Sequence, residues 1–238
     1  VTACDKAADR RALMEKQYGV IVTDDAAETV KQCTVLVLAV KPQDLDALLA
    51  GVRGRLTAKH LLISIAAGKT LAAVKKAAGT QPRIVRVMPN LALMVREGMS
   101  VYCAAKNAKA ADRTLVAQIF GGAGAVLELP EKHFDAVTAL SGSGPAFIAY
   151  AAQAMIEGAV ALKLPKDAAR LLAEQTLVGT GVYLQTTGRD IAEFIQAVAS
   201  PKGTTAAGLA VLEKSTVKAA YAKTLAAAAA RSAELSRA

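Results

Sequence analysis

The first half of the chain alternates short apolar runs with longer stretches of mixed apolar and charged residues. Apolar runs at 35–40, 61–65 and 84–88 predict strands, and the stretches between them are typical of helices. The uninterrupted run at 35–40 predicts a parallel strand buried on both faces. Shorter strands are predicted at 1–4, 20–22, 99–103 and 126–129, and helices at 5–18, 44–56, 71–78 and 110–120. This rhythm predicts an α/β domain over residues 1–129, with a doubly wound parallel sheet.

The alternation stops near Leu129-Pro130, and the chain from 134 onward is predicted to be helical almost to its end. Asp190 followed by Glu193 is typical of a helix N-terminus. No break is predicted in the alanine-rich stretch 206–238. Breaks are predicted at 141–145, 164–165, 188–189 and 200–203. Residues 130–238 are therefore predicted to form a second, all-α domain.

Composition and charge narrow the choice of partners. Hydrophobic residues make up 53% of the chain and aromatic residues only 4%. Small apolar side chains allow close helix packing, either in one core or between subunits. The formal net charge is +9, from 29 Lys and Arg against 20 Asp and Glu, which raises the local concentration of anions. The basic residues are scattered and no arginine run is interleaved with aromatics, so no nucleic-acid partner is predicted.

The cysteines and histidines predict neither a metal site nor a disulfide framework. The three cysteines, Cys4, Cys33 and Cys103, are far apart and odd in number, which favours buried free thiols in a reducing, cytoplasmic compartment. Two histidines, His60 and His133, stand beside charged residues and are interpreted as surface positions. The longest apolar stretch, 146–162, contains Gln153 and Glu157 and is too short for a membrane span, so a soluble protein is predicted.

Three turns follow directly after predicted strands. They are the segments 39–42 (Ala-Val-Lys-Pro), 66–68 (Ala-Ala-Gly) and 89–90 (Pro-Asn). Ligands of open parallel sheets bind beyond the carboxyl ends of the strands, so these turns would line one crevice. The alternative is that they are ordinary strand-to-helix turns.

A dinucleotide-binding sheet normally begins with a strand and a Gly-x-Gly-x-x-Gly turn, and residues 1–129 contain no such turn. The opening residues are more typical of a second strand, after which an acidic residue contacts the ribose of NAD and basic residues accept the 2′-phosphate of NADP. Asp5 and Lys6 occupy that position, and the nearby Arg10 and Arg11 favour NADP, unless they form a solvated helix start. We therefore expect that the first βα unit is absent from this chain.

Two loops of small residues open into apolar helices and carry the most specific signal. One is Leu-Ser-Gly-Ser-Gly-Pro-Ala at 140–146, and the other is Ser-Pro-Lys-Gly-Thr-Thr at 200–205. A helix start leaves backbone N–H groups without partners, and small side chains leave them open to an anion. N-capping of the following helices is the alternative role for the Ser141 and Ser143 hydroxyls and for Thr205.

The chain from Asp5 to about residue 230 resembles pyrroline-5-carboxylate reductases. The resemblance rests on these two loops, on Arg-Val-Met-Pro-Asn at 86–90, on Glu-Gly at 97–98 and on the turns at 39–42 and 66–68. The resemblance implies a Rossmann-type domain followed by a helical domain that interlocks with its mate in a homodimer or a higher oligomer of dimers. It also implies hydride transfer from NADPH or NADH to the imine of 1-pyrroline-5-carboxylate, which gives L-proline.

The resemblance also implies roles for individual residues. Thr205 matches the hydroxyl beside the ring nitrogen and is the candidate catalytic residue. The implied substrate-binding residues are Ser200, Gly203, Thr204, Thr205 and Ser143. The candidate cofactor-binding residues are Asp5, Lys6, Ala39, Val40, Lys41, Pro42, Ile65, Ala66, Ala67 and Asn90.

The chain departs from the family pattern at several positions besides the missing glycine-rich turn. Ala26 replaces a common Asn, Leu91-Ala92 replaces Thr-Pro, and Lys202 replaces a usual Gly. These departures keep two alternatives open. One is a different NADP-dependent imine or hydroxyacid dehydrogenase, and the other is a non-catalytic oligomerisation protein derived from such a reductase.

Overall fold

The computed structural model describes residues 1–237, which divide into two compact units. The first contains Val1–Gly142 and the chain from Ala228 onward, and the second contains Ser143–Ala227. The strands are β1 Thr2–Cys4, β2 Ile21–Thr23, β3 Val35–Leu38, β4 Leu61–Ser64, β5 Arg83–Met88, β6 Gly98–Ala104 and β7 Gly124–Glu128. The first six helices are α1 Ala8–Tyr18, α2 Ala26–Gln32, α3 Pro42–Val52, α4 Leu71–Ala78, α5 Ala110–Gly121 and α6 Phe134–Val137. The remaining helices are α7 Gly144–Ala161, α8 Lys166–Thr187, α9 Ile191–Val198, α10 Thr204–Lys214 and α11 Val217–Arg237.

The predicted fold class is confirmed, and β4 shows why these residues form a layered sheet. Leu62 is fully buried on one face, in the cluster that contains Leu45 and Leu49 of α3. Ile63 is fully buried on the other face, in the cluster that contains Val116 of α5. An apolar strand between two helical layers removes both of its faces from water, which stabilises a parallel sheet.

The prediction that β3 is buried on both faces was wrong. Leu36 and Leu38 are buried, whereas Val35 and Val37 are 38% and 49% exposed. In the described residues β3 pairs only with β4, and β1 pairs only with β2 in a separate two-stranded parallel sheet. Strand β3 is therefore an edge strand of the five-stranded sheet. Only the side chains on one of its faces, Leu36 and Leu38, are packed into the core.

The five-stranded sheet follows the order β3-β4-β5-β6-β7, and it is not parallel throughout. Strand β6 runs antiparallel to β5, and β7 runs parallel to β6. Residues 89–97, which connect β5 to β6, are too few for a parallel crossover, and part of them forms a short 3₁₀ turn at Leu91–Val95. The chain can therefore only reverse direction at this point.

The second unit is helical, as predicted, with one break that the sequence reasoning missed. Helices α10 and α11 are separate because Ser215 ends the first and its Oγ accepts the N–H of Val217 at 3.2 Å. The Asp190 carboxylate accepts the N–H groups of Ala192 and Glu193, which confirms the predicted start of α9. The predicted helical character of residue 238 lies outside the described residues.

His60 is a further correction, since it is 8% exposed and not a surface residue. Its Nδ1 accepts the N–H of Thr57, and its Nε2 lies 3.0 Å from the carbonyl oxygen of Val30. The imidazole therefore fixes the turn that precedes β4. None of the described helices is both long enough and apolar enough to cross a membrane.

Candidate functional site

Three of the predicted cofactor turns lie at one edge of the five-stranded sheet. In the register of the parallel strands, Leu38 faces Ser64 and Ser64 faces Arg86. The carboxyl ends of β3, β4 and β5 are therefore neighbours, and the Ile65 N–H donates to the Leu38 carbonyl at 3.2 Å. The structure thus brings Ala39, Val40, Lys41, Pro42, Ile65, Ala66, Ala67 and Asn90 to a common edge.

The residues of the first two turns are small or exposed. Pro42 occupies the first turn of α3, where the missing N–H leaves no hydrogen bond broken. Ala39, Lys41 and Ala67 are exposed, whereas Ala66 is buried under the turn. Alanine methyl groups leave backbone atoms accessible, so this edge can accept a flat ring at close range.

The other predicted cofactor residues, Asp5 and Lys6, follow β1 and belong to the two-stranded sheet. The Asp5 carboxylate accepts the N–H of Ala7 at 2.9 Å. Arg11 donates to the carbonyl oxygens of Asp5 and Lys6 and lies 3.5 Å from Asp24. Arg11 therefore braces this turn, while the Asp5 and Lys6 side chains remain exposed.

A buried ion pair lies beneath the turn that follows β4, and sequence reasoning did not assign it a role. Arg86 is 3% exposed and donates to Glu131 Oε1 at 2.9 Å, and its guanidinium carbon lies 4.6 Å from the centre of the Phe134 ring. The same Glu131 oxygen accepts the Leu71 N–H at 2.7 Å, which caps the start of α4. A single charge within the apolar strand 84–88 was the signal that could have found this pair.

Cys103 lies beside this ion pair and is buried, whereas Cys33 is half-buried and Cys4 is exposed, so the prediction of buried thiols was wrong for Cys4. Burial and then the negative charge of Glu131 raise the pKa of the Cys103 thiol from 9.0 to about 12, against the opposite effect of Arg86. A protonated, buried thiol is a poor nucleophile. Among residues 1–237, no group of three or more His, Cys, Asp and Glu side chains is arranged to hold a metal ion.

Asn90 lies in the turn after β5, and both polar atoms of its side chain contact the protein. Its amide nitrogen donates to the Ser141 carbonyl at 3.1 Å. Its amide oxygen accepts the N–H of Met99 at 3.2 Å. The side chain thus joins the turn after β5 to β6 and to the segment that precedes α7.

The predicted substrate loop lies in the second unit, immediately before α10. Gly203 precedes the helix, and its N–H donates to the Ser200 carbonyl at 3.0 Å. A Cβ at position 203 would lie 3.1 Å from that carbonyl oxygen and would also collide with the Ser200 hydroxyl, so the tight turn favours glycine. Lys202 is exposed and adopts a φ of 60°, which is strained for any residue with a Cβ.

Thr204 and Thr205 occupy the first turn of α10. The first i to i−4 bond of this helix is donated by Ala207 to Gly203, so the N–H groups of Thr204, Thr205 and Ala206 precede it. Helix α10 has no side-chain cap, which means that the Thr205 hydroxyl does not have the alternative capping role. This arrangement presents hydroxyl and N–H donors together and can bind a carboxylate.

Ser143 immediately precedes α7 and likewise makes no side-chain cap bond. The five residues before it, Thr138–Gly142, form a π-helical turn that continues from α6. Within this turn the Ser141 hydroxyl donates to the Val137 carbonyl at 3.0 Å. Ser141 is therefore satisfied locally, whereas Ser143 remains a candidate for contact with a ligand.

Two family models match the chain. A model described as pyrroline-5-carboxylate reductase dimerisation matches residues 131–235. A model described as NADP oxidoreductase, coenzyme F420-dependent, matches residues 1–68.

Curated proteins and solved structures are similar over almost the whole chain. A pyrroline-5-carboxylate reductase from Arabidopsis thaliana is 39% identical over 99% of this chain and 85% of its own length. The structure of a pyrroline-5-carboxylate reductase from Coxiella burnetii has a TM-score of 0.94 and 33% identity, covering 99% of this chain and 88% of its own. The structure of a Plasmodium falciparum pyrroline carboxylate reductase with NADP bound has a TM-score of 0.84 and 28% identity, covering 99% of this chain and 86% of its own.

Proposed function

The chain belongs to the pyrroline-5-carboxylate reductase family, and we propose that it reduces the imine of 1-pyrroline-5-carboxylate to L-proline with NADPH or NADH. The observation that carries this proposal is the open first turn of α10, where N–H groups and the Thr205 hydroxyl lie side by side without a capping side chain. Such a site suits a small substrate with one carboxylate and one ring nitrogen.

The substrate carboxylate would bind at the start of α10. The N–H groups of Thr204 and Thr205 carry the positive end of the helix dipole, which attracts an anion without a dedicated arginine. Gly203 leaves space for the carboxylate, and the exposed Ser200 hydroxyl and Ser143 supply further donors. The Lys202 ammonium adds long-range attraction from the exposed side of the loop.

The Thr205 hydroxyl would orient the ring nitrogen. A hydroxyl both donates and accepts hydrogen bonds, so it can hold the nitrogen before and after reduction. The imine nitrogen takes its proton from water, after which the imine carbon accepts a hydride and the C=N bond becomes a C–N bond. Because no strong general acid is needed, holding the imine carbon in position supplies much of the rate.

The cofactor would bind along the edge formed by the turns after β3, β4 and β5. When bound, NADPH supplies the hydride. Small side chains in these turns, those of Ala39, Ala66 and Ala67, allow close approach. Asn90 lies beside them, while Asp5 and Lys6 would face the adenosine ribose. Residues 1–129 contain no Gly-x-Gly-x-x-Gly turn for the pyrophosphate.

We also propose that the functional division is 1–129 for the dinucleotide and 130–238 for substrate and dimerisation, in a cytoplasmic homodimer or an oligomer of dimers. In the second unit of the described chain, the buried hydrophobic side chains are only Ala152, Ala169 and Ala173. Tyr150 is 75% exposed and Leu171 67%, and such exposed apolar surface favours a second copy of the chain as partner. Light scattering of the purified chain tests this, since a monomer at micromolar concentration would contradict it.

The function is tested by replacing Thr205 with valine, which keeps the shape and removes the hydroxyl. We expect kcat/KM for pyrroline-5-carboxylate to fall about tenfold or more, the usual loss for one buried hydrogen bond to a reacting group. Thr176→Val is the matched control, because that hydroxyl donates to the Leu172 carbonyl of its own helix. If the unaltered chain forms no proline, or reduces hydroxyacid precursors faster, the proposal is wrong.

A further inference from the structure

Two of the sequence motifs, Met-Pro-Asn at 88–90 and Ser-Gly-Ser-Gly at 141–144, meet through one side chain. The Asn90 amide nitrogen lies 3.1 Å from the Ser141 carbonyl oxygen, although 51 positions separate the two residues. Ser141 belongs to the π-helical turn Thr138–Gly142, and π-helical turns replace the regular i to i−4 pattern, often at functional sites. The bond thus reaches an irregular piece of backbone that leads directly into α7.

The other end of the same amide is fixed as well. Asn90 Oδ1 accepts the N–H of Met99 at 3.2 Å, so the side chain cannot rotate without breaking a second hydrogen bond. Asn90 is itself half-buried, and loss of a partner inside the protein leaves polar groups unsatisfied. The amide is therefore held in one orientation, with its donor directed at the turn before α7.

Packing and local hydrogen bonds hold the turn against the end of β5. A Cβ on Gly142 would lie 2.6 Å from the terminal methyl of Met88, the residue that ends β5. Within the turn, the Ser141 hydroxyl donates to the Val137 carbonyl and the Thr138 hydroxyl to the Phe134 carbonyl, at 3.0 and 2.7 Å. The π-helical turn is thus packed against the end of β5. Asn90, in the segment that follows β5, joins the two through its hydrogen bond to the Ser141 carbonyl.

We propose that Asn90 is a positioning residue that acts through the Ser141 carbonyl to fix the start of α7 and therefore the placement of Ser143. This inference rests on the proposed function, in which Ser143 contacts the substrate. It gives Asn90 a role that is separate from any contact with the cofactor. Its removal affects binding of the substrate and leaves the turns after β3 and β4 intact.

Two substitutions separate the two hydrogen bonds. Asn90→Asp keeps an oxygen for the Met99 N–H and loses the donor to Ser141, whereas Asn90→Ala loses both. Asn107→Asp is the matched control, since its amide donates to the Pro82 carbonyl at 2.9 Å on another part of the first unit. Amide hydrogen exchange without cofactor reports the Met99 bond directly, because the Met99 N–H is its donor. It reports the Ser141 bond through the neighbouring amides of the turn, because protection follows local opening.

In Asn90→Asp we expect amide exchange of residues 138–144 to accelerate about tenfold, with Met99 unchanged, as for loss of one internal hydrogen bond. In Asn90→Ala the Met99 amide also accelerates, and in Asn107→Asp neither segment changes. Unchanged exchange in 138–144 of Asn90→Asp overturns the proposal, even if that variant is catalytically impaired.

Steady-state kinetics on the same variants provide the second readout. We expect Asn90→Asp to raise the KM for pyrroline-5-carboxylate about tenfold, the same order as the local opening. An effect confined to NADPH affinity, with the KM for pyrroline-5-carboxylate unchanged, would leave only a cofactor contact and overturn the proposal. If the unaltered chain lacks reductase activity, the proposed function and the positioning role of Asn90 in substrate binding fail together. An active chain with an unaffected Asn90→Asp variant refutes this inference alone.

Discussion

Replacing Glu131 with alanine should strongly destabilise the first unit, although Glu131 lies on a connecting segment, where most substitutions have small effects. The change leaves the Arg86 guanidinium, which is 3% exposed, without its carboxylate, and it removes the acceptor for the Leu71 N–H. Breaking a buried ion pair costs about 3–5 kcal/mol, and we reduce this to about 2–3 kcal/mol because the Glu131 side chain is 31% exposed. Loss of the bond at the start of α4 adds about 1 kcal/mol, as for a helix cap.

The expected loss of about 3–4 kcal/mol can be measured by urea unfolding followed by far-ultraviolet circular dichroism. With a slope of about 2 kcal/mol/M, the midpoint should fall by about 1.5–2 M. Glu131→Gln, which keeps an oxygen acceptor without the charge, should lose about half as much, because charge-assisted hydrogen bonds are about twice as strong as neutral ones.

Glu234→Ala is the control, since it removes an ion pair in which Arg231 and Glu234 are 68% and 59% exposed. Its midpoint should not move, because exposed pairs contribute little. A fall in the urea midpoint of less than about 0.3 M in Glu131→Ala would show that water solvates Arg86 and that the Arg86–Glu131 pair contributes little to stability.

Three further predictions concern single side chains. Lys202→Glu should raise the KM for pyrroline-5-carboxylate, since it reverses the charge beside the carboxylate site, and an unchanged KM would remove Lys202 from that role. Cys103 should resist thiol reagents at pH 8 until the chain unfolds, while exposed Cys4 reacts. Because the pKa of the Cys103 thiol rises from 9.0 to about 12, the contribution of the protonated thiol to folding stability is complete below pH 9 and is lost progressively as the pH rises from 9 to about 12. Ser100→Ala should be neutral or slightly stabilising by thermal unfolding, because the fully buried Ser100 hydroxyl has no partner among the described residues, and a clear loss would contradict this.

The sequence was sufficient for the order of elements, because strand and helix periodicities are local. Leu62 and Ile63 illustrate this, because successive side chains of a strand point to opposite faces and each of these two packs against a different helical layer. The sequence was insufficient for β3, because exposure of Val35 and Val37 depends on which strands are neighbours. The direction of β6 was missed although the short connection 89–97 contained the information.

The candidate site was predictable at the level of motifs and not at the level of contacts. Proline, glycine and other small residues within 39–42, 65–68 and 200–205 indicate turns, and the first two turns lie together because each follows a strand of the same sheet. The bonds of Asn90 to Ser141 and of Glu131 to Arg86 join residues that are 51 and 45 positions apart. No local pattern encodes such pairs, since they depend on how distant elements pack.

Transfer of a labelled hydride shows whether this chain reduces pyrroline-5-carboxylate with NADPH. The purified chain would be incubated with pyrroline-5-carboxylate and NADPH that carries deuterium at both C4 positions of the nicotinamide, in parallel with a version that carries an added strand and Gly-x-Gly-x-x-Gly turn before Val1. We expect proline with deuterium on the former imine carbon, formed at lower NADPH concentration by the extended version. Proline without deuterium, or no proline from either version at saturating NADPH, would contradict the proposed reduction.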